Sequence, residues 1–437
     1  MKSVFLKTYG CQMNEHDSEI IRSILTQAGF NFTENELDAD ILLLNTCSVR
    51  ESAHRKIFGK IHRVRHEKGG LPLIVGVLGC MATGLKDELI KDKGFAIDFI
   101  VGPDNYKNLP TTINKVVESH EKLSDIKFYK NETYSEIVAE RDASINAWIA
   151  IMRGCDNFCS FCIVPLTRGR ERSLNKDSII KEAKSLSSKG YQQITLLGQN
   201  VNSYKDGEAD FCKLLEELVK VKDIERIRFV APHPKDFPEK LIDVIAKNKK
   251  ICKSIHLPLQ AGNNRILDLM NRKYTKEEFI SLADKMRNKI PNLVLTTDII
   301  VGFPTETEEE FNDTLYVVEK VGFDSAFIFK YSERKNTKAA KELKDDISEE
   351  EKTKRIVKLQ DLQGKISLKK NEAEIGKTYT ILIENMNKTK EPCLYIGKND
   401  GNKLITFRSS KKYELGSFID VKVNHGSPHN LRGEEVL

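Results

Sequence analysis

Short apolar runs alternate with amphipathic, helix-length segments along most of the chain. SVFLKTY, ADILLLNT and LPLIVGVLG are brief, apolar and partly β-branched, the pattern of strands buried in a parallel sheet. Between them, DSEIIRSILTQAGF and ESAHRKIFGKIHRVRHEKG carry apolar positions at helical spacing, the first bounded by an Asp17 or Ser18 cap and a Gly29 stop. DFIVGPDN predicts a fourth strand leaving the sheet. Such alternation predicts a small doubly wound α/β domain over residues 1–120. Residues 121–145 are polar and weakly periodic, which predicts a linker. A second alternation starts at Ala147. WIAIM, QITLLGQN, IRFVAPH, SIHLPLQ, LVLTTDIIVGFP and DSAFIFKYS predict six strands, with helices such as DSIIKEAKSLSSKG and EEFNDTLYVVEKVG between them. Six β/α units predict a partial (β/α)6 barrel over residues 146–373. Its last helix is long and charged and packs a stripe of Ile356, Leu359 and Ile366 on the barrel. After Gly376 the period switches to two in KTYTILIENM, EPCLYIGK, KLITFRSS and SFIDVKVNH. That predicts a small antiparallel β-barrel over residues 374–437.

Composition narrows the class. The chain has 437 residues, 40% hydrophobic and 31% charged, which suits a multidomain globular protein. No apolar run approaches the roughly 20 residues of a membrane span, and the apolar start is only VFL, unlike a secretory signal. A cytoplasmic location is therefore expected, where nine cysteines serve metal binding or reactivity rather than disulfides. A net charge of +6 admits a nucleic-acid partner without requiring one.

The cysteines fall into sets. Cys155, Cys159 and Cys162 in RGCDNFCSFC follow the first barrel strand, at the edge where βα loops build active sites. Three thiolates at this spacing can hold one face of a four-iron cluster and leave one iron open to the amino and carboxylate groups of a ligand such as S-adenosylmethionine. A structural zinc with a distant fourth ligand, or three unrelated cysteines, are the alternatives. Cys11 in TYGCQMN, Cys47 in NTCSVRE and Cys80 in LGCMA each lie just past a predicted parallel strand, where neighbouring strand ends converge. A single cysteine there is usually packing, but three at one structural position point to a second site. Cys212, Cys252 and Cys393 show no such relation and are expected to be structural.

The C-x3-C-x2-C triad on six β/α units resembles the radical S-adenosylmethionine superfamily. TYGCQMN, NTCSVRE, LGCMA, RGCDNFCSFC, LLGQNVNSY, HLPLQAGN and DIIVGFPTE further resemble the methylthiotransferase family and run in its order. The C-terminal barrel resembles the RNA-binding TRAM domain. NTCSVRE and APHP are similar to the branch acting on tRNA that carries N6-dimethylallyl adenosine beside the anticodon. Sister branches act on threonylcarbamoyl-adenosine in tRNA or on a ribosomal-protein aspartate, and remain the alternatives. The resemblance implies a transferase with two [4Fe-4S] clusters. One, on Cys155, Cys159 and Cys162, cleaves S-adenosylmethionine to a 5′-deoxyadenosyl radical that activates C2 of the base. The other, on Cys11, Cys47 and Cys80, carries the sulfur, which a second S-adenosylmethionine methylates. A low-potential donor of flavodoxin or ferredoxin type, no membrane partner and a monomeric chain are also expected.

Other positions complete the expected site. Gly198, Gln199 and Asn200 end the second barrel strand, where they hydrogen-bond the cofactor or merely turn the chain. The resemblance assigns the cofactor's adenine to the backbone of Ile300, Val301 and Gly302, although Asp298 stands where the superfamily more often has glycine. Arg168, Arg170 and Arg172 in TRGRERS are candidates for tRNA phosphates, or are an ordinary charged loop. His256 and Gln260 face the barrel mouth or are satisfied core residues. Residues 376–437 hold ten Lys or Arg against seven Asp or Glu, so charge alone does not mark an RNA binder. Tyr395, Phe407, Arg408, Lys411 and Lys412 are candidates for a stacking and phosphate surface.

Overall fold

The structure is a computed structural model that describes residues 2–48, 51–91, 96–141, 145–389 and 391–436, the side chains of 51–55 and 87 excepted. Val49 and Arg50 of NTCSVRE lie outside these residues.

The first part of the chain runs β1 (Ser3–Tyr9), α1 (Gln12–Gln27), β2 (Asn31–Phe32), β3 (Ile41–Thr46), α2 (Glu51–Glu67), β4 (Ile74–Gly79), α3 (Cys80–Gly84), α4 (Lys86–Lys91), β5 (Phe99–Val101), α5 (Leu109–Ser119) and β6 (Leu123–Asp125). The six strands form one parallel sheet in the order β2-β1-β3-β4-β5-β6. Every residue of β3 is buried, because both faces of the sheet are covered. Ile41 and Leu43 meet Ile20, Ile21 and Leu25 of α1 on one face; Leu42 and Leu44 meet Ile57, Ile61 and Val64 of α2 on the other. The polar segment after α5 supplies β6 as a sixth strand and buries Tyr134 and Ala139 in the core. Its weak periodicity reflects single anchors rather than a continuous apolar face.

The second part begins with β7 (Asn146–Ala150), β8 (Met152–Arg153), α6 (Val164–Arg168), β9 (Arg172–Ser173), α7 (Lys176–Ser188) and β10 (Gln193–Leu197). A small hairpin of β11 (Lys205–Asp206) and β12 (Ala209–Asp210) precedes α8 (Phe211–Leu218), β13 (Arg226–Phe229), α9 (Glu239–Lys247) and β14 (Ser254–His256). Then come α10 (Asn264–Leu269), α11 (Lys276–Lys289), β15 (Val294–Val301), α12 (Glu308–Val321), β16 (Ser325–Lys330), α13 (Lys338–Glu342) and α14 (Glu349–Glu372). Strands β13-β10-β7 and β14-β15-β16 are two parallel triplets joined by an Ile227–Ile251 bridge, which makes the six-stranded partial barrel. Capping boxes start α11 (Thr275 with Glu278) and α12 (Thr307 with Glu310), each cap worth about 1 kcal/mol. The expected stripe of α14 packs Ile356, Leu359 and Ile366, with Leu362, on the barrel core.

Strands β17 (Thr378–Asn387), β18 (Cys393–Lys398), β19 (Leu404–Ser409), β20 (Phe418–Gly426) and β21 (Leu431–Glu435) close a terminal barrel in the order β17-β18-β19-β21-β20. The barrel is not wholly antiparallel. The last strand, beyond the four expected, pairs parallel with β19 and so closes the ring without leaving an edge. Arginines of β13 hold this barrel: Arg226 donates to the carbonyls of Lys398 and Thr380, both at 2.7 Å, and Arg228 to those of Asp400 (2.9 Å) and Asn399 (2.6 Å). Gly401 packs on Val294 and Lys403 pairs with Asp324. The terminal barrel therefore docks where β13, β15 and β16 begin, away from the edge where strands end and Cys155 follows.

Candidate metal centres at the domain interface

In the parallel register Tyr9, Thr46 and Gly79 stand side by side on β1, β3 and β4. Cys47 and Cys80 follow at once and Cys11 two residues on, so the sheet edge gathers three cysteines from three separate segments. Gly79 has a φ of +86°, and a Cβ there would meet Asn45 Oδ1 at 2.5 Å, so the turn that delivers Cys80 requires glycine. Cys11 is exposed while Cys47 and Cys80 are buried. A hydrogen bond from Cys47, the nearby Arg168 charge and backbone N–H groups at Met13 and Asn14 pull the Cys11 thiol down to about 5 despite desolvation. Burial instead pushes the Cys80 thiol up, with Arg168 opposing it.

The other triad sits on one loop after β8. Gly154 precedes Cys155 with φ +77°, and a Cβ would lie 2.0 Å from the Arg170 carbonyl. The end of α10 holds the loop. Ser160 donates its N–H to the Met270 carbonyl (3.0 Å) and its hydroxyl to that of Leu269 (2.6 Å), and Asn271 donates to the Phe158 carbonyl (2.8 Å). Buried Arg272 donates to Cys159 Sγ at 3.3 Å. Burial pushes Cys155 to about 11 and Cys162 to about 12, with the charge of Cys159 adding to both shifts. Both are thiols at neutral pH until something bound to their sulfurs displaces the proton.

The two sites share an interface. Asp17 of α1 is fully buried; its carboxylate accepts from Arg153 and from Arg168, each at 2.8 Å, and Arg168 Nε donates to Cys80 Sγ at 3.1 Å. This corrects the reading of TRGRERS. Arg168 is buried in that network, and half-buried Arg172 pairs with Asp104 at 2.6 Å. Arg170 alone of the three is exposed, paired with Asp156 at 2.7 Å and lying over the Phe158 ring. A sequence shows the charges of a loop but not the domain that lands on it.

Among the described residues no three Cys, His, Asp or Glu side chains stand so as to grip a single metal ion. The donors and their neighbours define the two sites instead. Each has three thiols and one buried guanidinium N–H on a sulfur, and Arg153 Nε and Nη1 and Arg168 Nη1 are buried without partners. Soft sulfur donors beside buried guanidinium groups fit an anionic iron–sulfur group.

At the second barrel strand's end, a Cβ on Gly198 would meet Met152 Cγ at 2.5 Å, so packing requires that glycine. Asn200 donates to Asp236 at 2.8 Å and accepts from the His233 N–H. Buried Gln199 Oε1 has no partner, which leaves it an open acceptor. At the end of β15 the Ile300 N–H is taken by the Gln260 carbonyl, the Val301 carbonyl accepts from Tyr331 N–H, and the Gly302 N–H goes to Glu306. His256 meets Thr296 at 2.9 Å and Asp298 at 3.1 Å, so the aspartate that departs from the superfamily pattern is this histidine's partner. Glu171 and Arg272 escaped the sequence reading. Glu171 accepts from Ser203 (2.8 Å) beside Asp156 and Asp236, and burial lifts it to about 7. Arg272 gave no local signal at all, since only folding brings it to Cys159. Tyr395 and Phe407 are also corrected. They stack on each other inside the terminal barrel, while Arg408, Lys411 and Lys412 are exposed. Cys212 and Cys252 are buried apart from both sites.

Comparison with known proteins agrees with this architecture. Residues 149–316 match the radical SAM superfamily, and residues 3–102 the uncharacterized protein family UPF0004. Among solved structures, the radical S-adenosylmethionine methyltransferase TsrM from Kitasatospora setae, with cobalamin and a [4Fe-4S] cluster bound, shares the fold. Its TM-score is 0.57 at 14% identity, over 78% of this chain and 74% of that one. The cobalamin-dependent radical enzyme OxsB is similar at TM-score 0.54 over 83% of this chain and 56% of its own. The tRNA-2-methylthio-N(6)-dimethylallyladenosine synthase of Parabacteroides distasonis is 44% identical, over 100% of this chain and 96% of the relative. That of Carboxydothermus hydrogenoformans is 44% identical over 99% of both. On full-length identity of this size, the chain belongs to the tRNA-2-methylthio-N(6)-dimethylallyladenosine synthase family of radical SAM enzymes.

Proposed function

We propose that the chain is a tRNA methylthiotransferase that adds a methylthio group to C2 of N6-dimethylallyladenosine next to the anticodon. The single observation that supports the site assignment is the buried Arg153–Asp17–Arg168 chain that links the two cysteine triads, with an arginine N–H on a sulfur of each. Cys155, Cys159 and Cys162 hold one [4Fe-4S] cluster, and Cys11, Cys47 and Cys80 the other. When bound, the first supplies the electron that cleaves S-adenosylmethionine and the second supplies sulfur.

The chain's own residues position and shield. Arg272 fixes Cys159, and the α10 end holds the loop rigid, so three thiolates keep one geometry. Gln199 Oε1 accepts a hydrogen bond from the amino group or ribose of S-adenosylmethionine, beside Gly198 and an Asn200 already anchored to Asp236. The strand end at Ile300, Val301 and Gly302 lines the adenine side. Glu171, protonated for half its population near pH 7, can donate as well as accept between the cluster loop and Asn200. Arg408, Lys411 and Lys412 contact phosphates of the tRNA at the far end of the molecule from the reacting base. No described helix is long and apolar enough to cross a membrane. The enzyme works in the cytoplasm as a monomer and draws electrons from a low-potential flavodoxin- or ferredoxin-type protein.

Mass analysis of tRNA nucleosides from cells with and without the gene tests the substrate. Loss of the methylthio group from dimethylallyl-adenosine is expected. Loss from threonylcarbamoyl-adenosine, or from neither nucleoside, would refute the assignment.

A further inference from the structure

Two buried guanidiniums share a single carboxylate at the domain interface. The side chains of Asp17, Arg153 and Arg168 are 0%, 1% and 4% exposed. The imidazole and phenol groups beside this triplet do not restore its charge balance. His16, buried in the next position, is held neutral, its pKa pushed down to about 3 by burial and by Arg153. Tyr134 offers Arg153 only a ring face at 4.7 Å, and Tyr106 offers Asp17 a hydroxyl at 3.4 Å. Taken by itself the triplet thus carries one net positive charge, with Arg153 Nε and Nη1 and Arg168 Nη1 unpartnered. An uncompensated charge at such depth costs several kcal/mol, so the fold implies an anion here.

The sulfur to which Arg168 donates tells where that anion sits. Its Nε donates to Cys80 Sγ at 3.1 Å, the thiol standing in for the thiolate of the loaded site. Its other end is fixed by Asp17, whose second oxygen holds Arg153, two residues before Cys155. A chain of Arg153, Asp17, Arg168 and Cys80 therefore joins the root of one cluster loop to a ligand of the other site.

We propose that Arg168 is a positioning residue of the Cys11, Cys47 and Cys80 site, and that its guanidinium raises the reduction potential of the cluster bound there. This rests on the reading that these three cysteines hold an iron–sulfur cluster. A reduced cluster is more negative than an oxidised one, so a fixed cation and an N–H on sulfur favour the reduced form. A lysine keeps the charge but lacks the fork that serves Asp17 and Cys80 together.

The test uses the full chain with Cys155, Cys159 and Cys162 replaced by serine, so that one cluster remains, and follows its EPR signal in a potentiometric titration. Arg168→Gln is expected to shift the midpoint to lower potential, with Arg168→Lys between it and the parent. Arg170→Gln, exposed on the same loop, is expected to leave the midpoint in place. An unchanged midpoint in a cluster-loaded Arg168→Gln would overturn the proposal and leave Arg168 as a staple between domains. If Arg168→Gln takes up no iron, Arg168→Lys decides: a lowered midpoint supports the proposal and a parental one overturns it. A parent that binds no cluster would overturn the underlying cysteine assignment and the proposal with it.

Discussion

The two cysteine sets reach the same interface by opposite routes. Cys155, Cys159 and Cys162 lie within one loop, so their mutual placement is largely local; the rest of the fold supplies anchors such as Asn271 and Arg272. Cys11, Cys47 and Cys80 come from three strand ends, and nothing but the β1-β3-β4 register brings them together. A local triad tolerates distant change but not an altered loop. A triad built from a sheet edge depends on the whole domain and on what docks against it. Asp17 binds the two regimes together, since it holds an arginine from each side of the radical loop.

The strongest challenge to this contrast is therefore at Asp17, outside both triads. Asp17→Asn leaves two buried guanidiniums without a counter-charge and is expected to destabilise the metal-free protein by about 3–5 kcal/mol. Denaturant unfolding monitored by far-UV circular dichroism measures it; a change below about 1 kcal/mol would mean the network carries no weight.

Paired glycine variants separate the sites. Gly154→Ala forces a Cβ to 2.0 Å from the Arg170 carbonyl, and Gly79→Ala to 2.5 Å from Asn45 Oδ1, both at positive φ. Each costs about 1–3 kcal/mol in strain. In reconstituted protein each is expected to lose iron from its own site alone, which spectroscopy on the serine-substituted backgrounds distinguishes. Equal loss from both sites in either variant would show that the two cages are not independently built.

The smallest expected effect separates the sulfurs by their protons. In metal-free protein Cys11, pulled down to about 5, is thiolate at pH 7, whereas Cys155 at about 11 and Cys162 at about 12 remain thiols. Since the thiolate is the nucleophile, Cys11 should alkylate first at pH 7. Its rate should fall about tenfold per unit once pH drops below about 5. Peptide mapping after brief iodoacetamide treatment reads this, and earlier labelling of Cys155 would contradict it.

Much of this was legible before any fold was seen, because strand endings carry cysteine. TYGC, NTC and LGC mark three such ends after an apolar run, two of them with a glycine, and the six barrel strands follow from alternation alone. Short elements that lack periodicity were invisible. LSD at β6 has one apolar residue, and LRGEE at β21 offers only Leu431 to the core. Side-chain fate was least legible where domains meet. Arg168 and Arg170 sit two apart in one charged loop, yet one is buried against Asp17 and the other stands in solvent. Tyr395 and Phe407 similarly alternate inward on their strands, and a core pair has the same composition as a stacking surface.

Iron and sulfide analysis of anaerobically reconstituted protein, with Mössbauer spectroscopy, tests the two-site claim most directly. About eight irons per chain are expected, falling to about four when either triad is replaced by serine. About four in the unaltered chain, removed entirely by substituting one triad and untouched by substituting the other, would contradict it.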